Sequence, residues 1–462
     1  MQTAPGAGAG VAAPSMSTGS LPEQARFNGD SQLMKSQRVL HKFFPQSGGT
    51  FAPNGSRVIR FDISSPNFLD LAEARFQCDF TVASLATPAL LDGGLGGIIS
   101  RLSIMNSSGQ LLERIDNYNL MQTILNQCSD RARLHEDELW ISEGFIANSQ
   151  EIGTNAASNM YRIGANGTDT TREYAHKMHG AWFQSTKKKL LPPGIAFRLE
   201  IELVDSANAC MTQTNGGTVN NFSISNVSLV VPTVQIMSQA FEDSTSRMLS
   251  RGYRWIGATY RSYDFSVANA SAEQTLIVPD KSLALTGLIA LSRRSTDLTA
   301  NNTYKNYCRE GNAFRTDYNV TIGSQAYPPV KIKYEGAAAN VPLSQADTGY
   351  KLAEAVQQMK AVLGGTPYAA LSGEVGGGPG LYPAVNFTKT AEHNGVGFLC
   401  VQVGYGQGIG IDTQTPSLPV TFKCFTNDLT GGGNQTISIF CQATATFSMQ
   451  PEQGMLTVRS FI

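Results

Sequence analysis

Ile437-Ser438-Ile439-Phe440-Cys441-Gln442-Ala443-Thr444-Ala445-Thr446-Phe447-Ser448-Met449-Gln450 is the stretch that decides the fold class. Ile437, Ile439, Cys441, Ala443, Ala445, Phe447 and Met449 put an apolar side chain at every second position, and Ser438, Gln442, Thr444, Thr446, Ser448 and Gln450 fill most of the other face. Extended chain alternates its side chains with a period of two, whereas a helix needs apolar residues every third or fourth position. A long β-strand is therefore predicted late in the sequence. The preceding runs Phe398–Val403 and Val420–Phe425 read as two further strands.

The same alternation recurs upstream. Ile59, Phe61 and Ile63 oppose Arg60 and Asp62; Phe76, Cys78, Phe80 and Val82 oppose Gln77, Asp79 and Thr81; Phe197, Leu199, Ile201 and Leu203 oppose Arg198, Glu200 and Glu202. Ile98–Met105 and Gln110–Leu112 flank Asn106-Ser107-Ser108-Gly109, a turn cluster that predicts a hairpin. Leu120, Met121, Ile124, Leu125 and Cys128 then fall at helical spacing. Phe222–Val231, stopped by Pro232, reads as the last strand of this half, and Phe241–Arg251 as a polar connector.

A second set of strands follows: Arg254–Ala258, Ser262–Val267, Gln274–Val278, and Leu283–Leu291 paired with a strand around Thr316–Ile322. One helix interrupts this set, capped by Asp347 or Thr348, with Leu352, Val356, Met359 and Leu363 on one face and Gly364-Gly365 as its stop. Both halves run through early strands, an inserted helical segment and late strands. The fold class expected is all-β, as two tandem sandwiches with short inserted helices, and 462 residues are enough for two cores. The division expected is an N-terminal arm over 1–32, a first sandwich over 33–240, a linker over 241–252 and a second sandwich over 253–462. Residues 1–22 are almost wholly small or polar and cannot bury enough apolar surface to fold alone.

Composition excludes several function classes. Net charge is −1, and the first thirty residues carry only Glu23, Arg26 and Asp30, so no basic arm neutralises a phosphate backbone. Lys187-Lys188-Lys189 is a short run before Pro192-Pro193 and reads as a solvated loop. The seven cysteines form no Cys-x-x-Cys pair, which fits buried free thiols in a reducing compartment. No apolar window reaches the roughly 18 residues of a membrane span, and synthesis in the cytosol is expected.

Candidate chemistry is sparse. His176-Lys177-Met178-His179, after Glu173, is the one close histidine pair among five histidines; its spacing is not that of two metal ligands on one helical face, and a polar surface segment is expected. Gly404-Tyr405-Gly406-Gln407-Gly408-Ile409-Gly410 is followed by Asp412–Pro416 rather than by a helix, so it reads as a loop and not as a dinucleotide cradle; Gly373–Gly380 reads likewise. Glu136, Asp137 and Glu138 read as solvated carboxylates. No catalytic residue, cofactor or metal ligand is assigned.

Residues 33–462 resemble the double jelly-roll major capsid proteins of tailless icosahedral double-stranded DNA viruses, hexon-like and virophage-like forms included. The resemblance rests on Ser56–Ile63 with Ala74–Val82, on Ile98–Ile104 leading into Leu111–Ile115, on Leu190-Leu191-Pro192-Pro193-Gly194 entering Phe197–Leu203, and on Ile224–Leu229, with a second strand set after Arg254. It implies two eight-stranded jelly rolls and a structural rather than catalytic role. Three chains would form a pseudo-hexameric capsomer within a virion capsid. Partners implied are further copies, penton and minor capsid proteins, and an internal membrane reached by the arm, with no direct nucleic-acid binding. Leu33, Leu40, Phe43 and Phe44, apolar beside the arm, are the expected arm and capsomer contacts. Loops over 300–350 and 364–395 would form towers or trimer contacts. The rival reading is a carbohydrate-binding or receptor-binding β-sandwich, which would predict a secretion signal, paired cysteines or carboxylates in an aromatic cleft.

Overall fold

The computed structural model describes residues 36–82, 89–91, 93–128, 142–144, 170–184, 190–213, 221–268, 270, 272–295, 318–332, 349–363, 398–405, 409–414, 418–426, 434–452 and 455–461. The first half contains β1 (Ser36–Phe43), β2 (Val58–Ile63), β3 (Phe68–Leu69), β4 (Arg75–Val82), β5 (Ala89–Leu91), β6 (Ile99–Asn106), β7 (Leu111–Asp116), β8 (Thr171–Lys177), β9 (Phe197–Leu203), β10 (Met211–Gln213) and β11 (Phe222–Ile236), with helix α1 (Tyr118–Gln127) after β7. Two sheets carry it, ordered β1-β11-β4-β8 and β2-β9-β6-β7. The alternation read from the sequence is the reason. Ile59, Phe61 and Ile63 of β2 lie opposite Ile201, Leu199 and Phe197 of β9, all buried. On the other face Arg60 pairs with Glu200 at 2.8 Å and Arg198 with Asp62 at 2.9 Å. The hairpin β6–β7 turns where expected, its Asn106 Oδ1 accepting from the backbone N–H of Ser108 and of Gln110.

Helix α2 (Gln239–Ser250) leads to the second half: β12 (Tyr253–Val267), β13 (Ala272–Val278), β14 (Leu285–Arg294), β15 (Tyr318–Ile322), β16 (Gln325–Ile332), α3 (Gly349–Leu363), β17 (Phe398–Gln402), β18 (Val420–Thr426), β19 (Gln435–Glu452) and β20 (Met455–Phe461). Its sheets are β12-β19-β14-β17 and β13-β18-β15-β16. Setting aside the short β3, β5 and β10 and the added β20, the described residues of each half form eight strands with one nested plan. Strand one pairs with eight, two with seven, three with six and four with five. That nesting is the jelly roll.

Four readings of the sequence are corrected. The polar connector over 241–251 is helical, with Thr245 Oγ1 bonded to the Phe241 carbonyl and Phe241 packed on Phe68. The runs at 254–258 and 262–267 are one strand, because β12 pairs with β19 without interruption from Tyr253 to Val267. Leu283–Leu291 does not pair with the strand around 316–322: β14 lies between β19 and β17, whereas β15 lies in the other sheet beside β18 and β16. Nesting sends the third and fourth strands of a roll to opposite sheets, which alternation within one strand cannot reveal. Pro232 does not end β11; the strand continues to Ile236, and the Pro232 carbonyl accepts from Asp70 N–H at 2.9 Å.

β19 explains its own length. Ile437, Ile439 and Cys441 enter the core of the second roll, while Ala445, Phe447 and Met449, further along the same face, join the apolar cluster that includes the first roll. The opposite face is not solvated either. Ser438, Phe440 and Gln442 are buried, with Met359 and Val362 of α3 in the cluster that holds Phe440 and Gln442 Nε2 donating to the Val362 carbonyl.

Candidate functional site

The histidine pair lies in the interior. His176, the last but one residue of β8, faces inward, its Nδ1 2.9 Å from Glu143 Oε2 and its Nε2 3.0 Å from the Tyr118 hydroxyl of α1. His176, His179, Glu143 and Tyr118 are all buried, which corrects the surface expectation. The β8 sequence Thr-Arg-Glu-Tyr-Ala-His-Lys has polar residues on both faces, so the inward position of the imidazole left no apolar signature. Glu143 Oε1 accepts from Lys177 N–H, and the Tyr118 oxygen accepts from His179 N–H, which leaves the Tyr118 proton for His176 Nε2.

Carboxylate, imidazole and hydroxyl in line have the order of a nucleophile relay. This one has no room for a substrate. Burial pushes the Tyr118 hydroxyl far up in pKa, and a Cβ added at Gly96 would sit 2.5 Å from Gln122 Cδ and 2.7 Å from His176 Cε1. The cluster instead ties α1, β8 and Glu143 together through satisfied buried polar groups. Among the described residues no group of three metal-ligating side chains gathers, and the six described cysteines are buried and form no disulfide with one another. Burial pushes the thiols of Cys78, Cys128, Cys400 and Cys441 upward, away from the reactive thiolate. No helix of the described residues is long and apolar enough to cross a membrane. Glu136–Glu138, Lys187–Lys189 and Gly373–Gly380 lie outside the described residues.

The most heavily built surface is the junction between the two rolls, which the sequence reading did not find. β12, the free edge of its sheet, lies against β7, the start of α1 and the turn 178–184. Trp255 Nε1 donates to the Ala181 carbonyl at 3.0 Å, Asn117 Nδ2 donates to Asp264 at 3.0 Å, and Ser262 Oγ donates to the Asp116 carbonyl at 3.1 Å. Trp182 packs on Phe197 of the first roll and on Trp255 and Phe447 of the second. Glu113 of β7 accepts from Ala181 N–H and Trp182 N–H and is hydrogen-bonded to Thr259 of β12.

Gly257 marks the closest approach. A Cβ there would come within 2.6 Å of Ala181 Cα and 2.8 Å of its carbonyl carbon, and backbone on both sides resists displacement. Gly257→Ala is expected to cost about 1–3 kcal/mol through overpacking, read as a lower urea midpoint with an unchanged transition slope.

No protein-family model matches the chain, and no curated protein does. Solved structures do. PBCV-1 VP54, fitted into a cryo-EM reconstruction of the virophage Sputnik, superposes with a TM-score of 0.60 over 93% of this chain and 98% of its own, at 9% identity. A quasi-atomic model of the PBCV-1 virus capsid gives 0.59 over 93% and 98%, again at 9% identity. The Sputnik virophage structure gives 0.56 over 96% of this chain and 92% of that one, at 11% identity.

The chain has the double jelly-roll fold.

Within this double jelly roll the four residues marked as contacts separate. Leu33 lies outside the described residues. Phe43 is buried in the core of the first roll, its ring tilted at 60° against that of His41. Leu40 and Phe44 are 67% and 70% exposed. β1 is exposed from Ser36 to Lys42, on both faces, although it pairs with β11 along its whole length.

Proposed function

We propose that this protein is the major capsid protein of an icosahedral virus, trimerising into pseudo-hexameric capsomers that tile the shell of the virion. The observation that carries the reading is coverage: both rolls, in tandem, align with capsid structures over more than nine-tenths of the chain. Fold alone does not assign function, but two features agree with this one. The buried carboxylate, imidazole and hydroxyl groups are spent on internal hydrogen bonds. A net charge of −1 leaves genome neutralisation to other components.

On this reading 33–240 and 253–462 are the two upright rolls, 241–252 links them, and the 1–32 arm runs to neighbouring capsomers, penton and minor capsid proteins or an internal membrane. Leu33, Leu40 and Phe44 belong to that outer contact set, and Phe43 anchors it to the core. The protein is made in the host cytosol and acts without catalysis or cofactor.

Light scattering on the purified chain tests the reading, with negative-stain images beside it. The expected result is a mass three times 49.6 kDa and particles of hexagonal outline. A monomer at all concentrations overturns it.

A further inference from the structure

The intrachain junction has a second, unused copy of its parts. The turns that follow the sixth strand of each roll are equivalent: after the pair Arg75–Lys177, Met178 N–H bonds to the Ala74 carbonyl, and after the pair Gly287–Gln402, Val403 N–H bonds to the Thr286 carbonyl. By the same nesting β1 corresponds to β12, and β7 to β16. Within the chain, strand one of the second roll is buried on strand five and the sixth-strand turn of the first.

The reciprocal set is bare among the described residues. β7 buries Leu112, Glu113 and Ile115, with Glu113 hydrogen-bonded to Thr259 of the second roll, yet its counterpart β16 leaves Pro329 exposed and Val330 75% exposed. The turn after β17 presents Tyr405 at 84% and Ile409 at 64%, held beside each other by Tyr405 N–H bonding to the Ile409 carbonyl. β1 presents Leu40. Exposed apolar side chains on two free sheet edges invite association unless they are covered.

Resting on the trimeric reading above, we propose that successive copies join through β1 of one chain docked on β16 and the Tyr405 and Ile409 side chains of the next. The occupant is a second copy of this chain because the chain already buries the equivalent surfaces against each other once. A head-to-tail contact repeated by rotation closes into a ring, and three chains of two rolls give six similar junctions, three within chains and three between. Docking is by side chains. Pro328 and Pro329 are adjacent in β16, and whichever of the two faces outward offers no N–H, so the edge is a poor template for another strand there, just as β12 meets β7 without joining its ladder.

The test uses the full chain and the variants Leu40→Asp and Val330→Asp, with Ile277→Asp, an exposed residue of β13 outside the junction, as control. Both junction variants are expected to keep the wild-type circular dichroism and to lose the trimer at concentrations where wild type and Ile277→Asp keep it, with the trimer population falling roughly tenfold or more, as for hot-spot residues. Mixed in equal amounts, the two variants are expected to form heterodimers that do not close, because Leu40→Asp retains a sound β16 and Val330→Asp a sound β1. A wild-type trimer that survives in both variants, or a mixture that stays monomeric, overturns the junction and leaves the capsomer reading standing. A wild-type monomer overturns both.

Discussion

Trp182→Ala is expected to lower stability by about 3–5 kcal/mol, the range for deleting a buried large aromatic, and to separate the unfolding of the two rolls. Trp182 is fully buried, with ring centroids 5.4 Å from Phe197, 4.9 Å from Phe447 and 6.1 Å from Trp255. One side chain thus contributes apolar area to the first roll, to the long strand of the second and to the strand that opens it. Edge-to-face contacts with Phe197 and Phe447 add about 0.5–1.5 kcal/mol each beyond burial. Removing the ring leaves a cavity walled by two separate sandwiches, each stiff in its own sheets, so collapse around it is poor. Calorimetry of the variant should resolve two transitions where the wild type has one. A single transition at an unchanged midpoint would mean that the junction contributes nothing to cooperativity.

The strands most legible in the sequence are those with one face in a core and one in solvent. β2 and β9 alternate cleanly because Arg60, Asp62, Arg198 and Glu200 meet each other on the outer face. β1 has no alternation to read, since it is exposed on both faces from Ser36 to Lys42; the sequence yielded only its apolar residues as contacts, not a strand. β8 failed for the opposite reason: His176 faces the interior because Glu143 and Tyr118 satisfy both ring nitrogens, and a satisfied imidazole looks like a surface one in the sequence. Pairing across the sandwich is set by loops and nesting, so β14 was given the wrong neighbour although its own run was recognised. The junction was least legible. Gly257 and Glu113 have ordinary strand surroundings, and only the approach of the other roll gives either its role.

The junction has two kinds of content. Apolar groups such as Trp182, Trp255 and Phe447 give it area. Directional groups such as Asn117 and Ser262 fix its register: Asn117, in the left-handed region at φ 52°, reaches across to Asp264, while Ser262 reaches back to the Asp116 carbonyl. Area alone would let two sandwich edges slide past one another. The buried hydrogen bond from Trp255 Nε1 to the Ala181 carbonyl removes that freedom as well, because each alternative position strands a polar group.

Glu113→Ala should therefore cost more than its size suggests, about 2–5 kcal/mol. The carboxylate accepts from Ala181 N–H at 2.8 Å and Trp182 N–H at 3.1 Å, and each buried N–H left without an acceptor costs about 1–3 kcal/mol. Glu113 also makes stability depend on pH. Burial holds its carboxyl above the usual 4.5, against the opposing pull of the Ala181, Thr259 and Trp182 hydrogen bonds. A carboxyl raised in the folded state favours folding most below about 4.5, where both states are protonated, and that contribution is lost as pH rises through the folded value. Glu113→Gln does not titrate and turns one amide N–H toward a backbone donor, so it should be less stable than wild type at low pH. The gap should narrow as the pH is raised and the wild type comes to bury a charge. Urea midpoints of both proteins across the acidic to neutral range measure this; a constant gap would mean that Glu113 is charged throughout and held by its three donors alone.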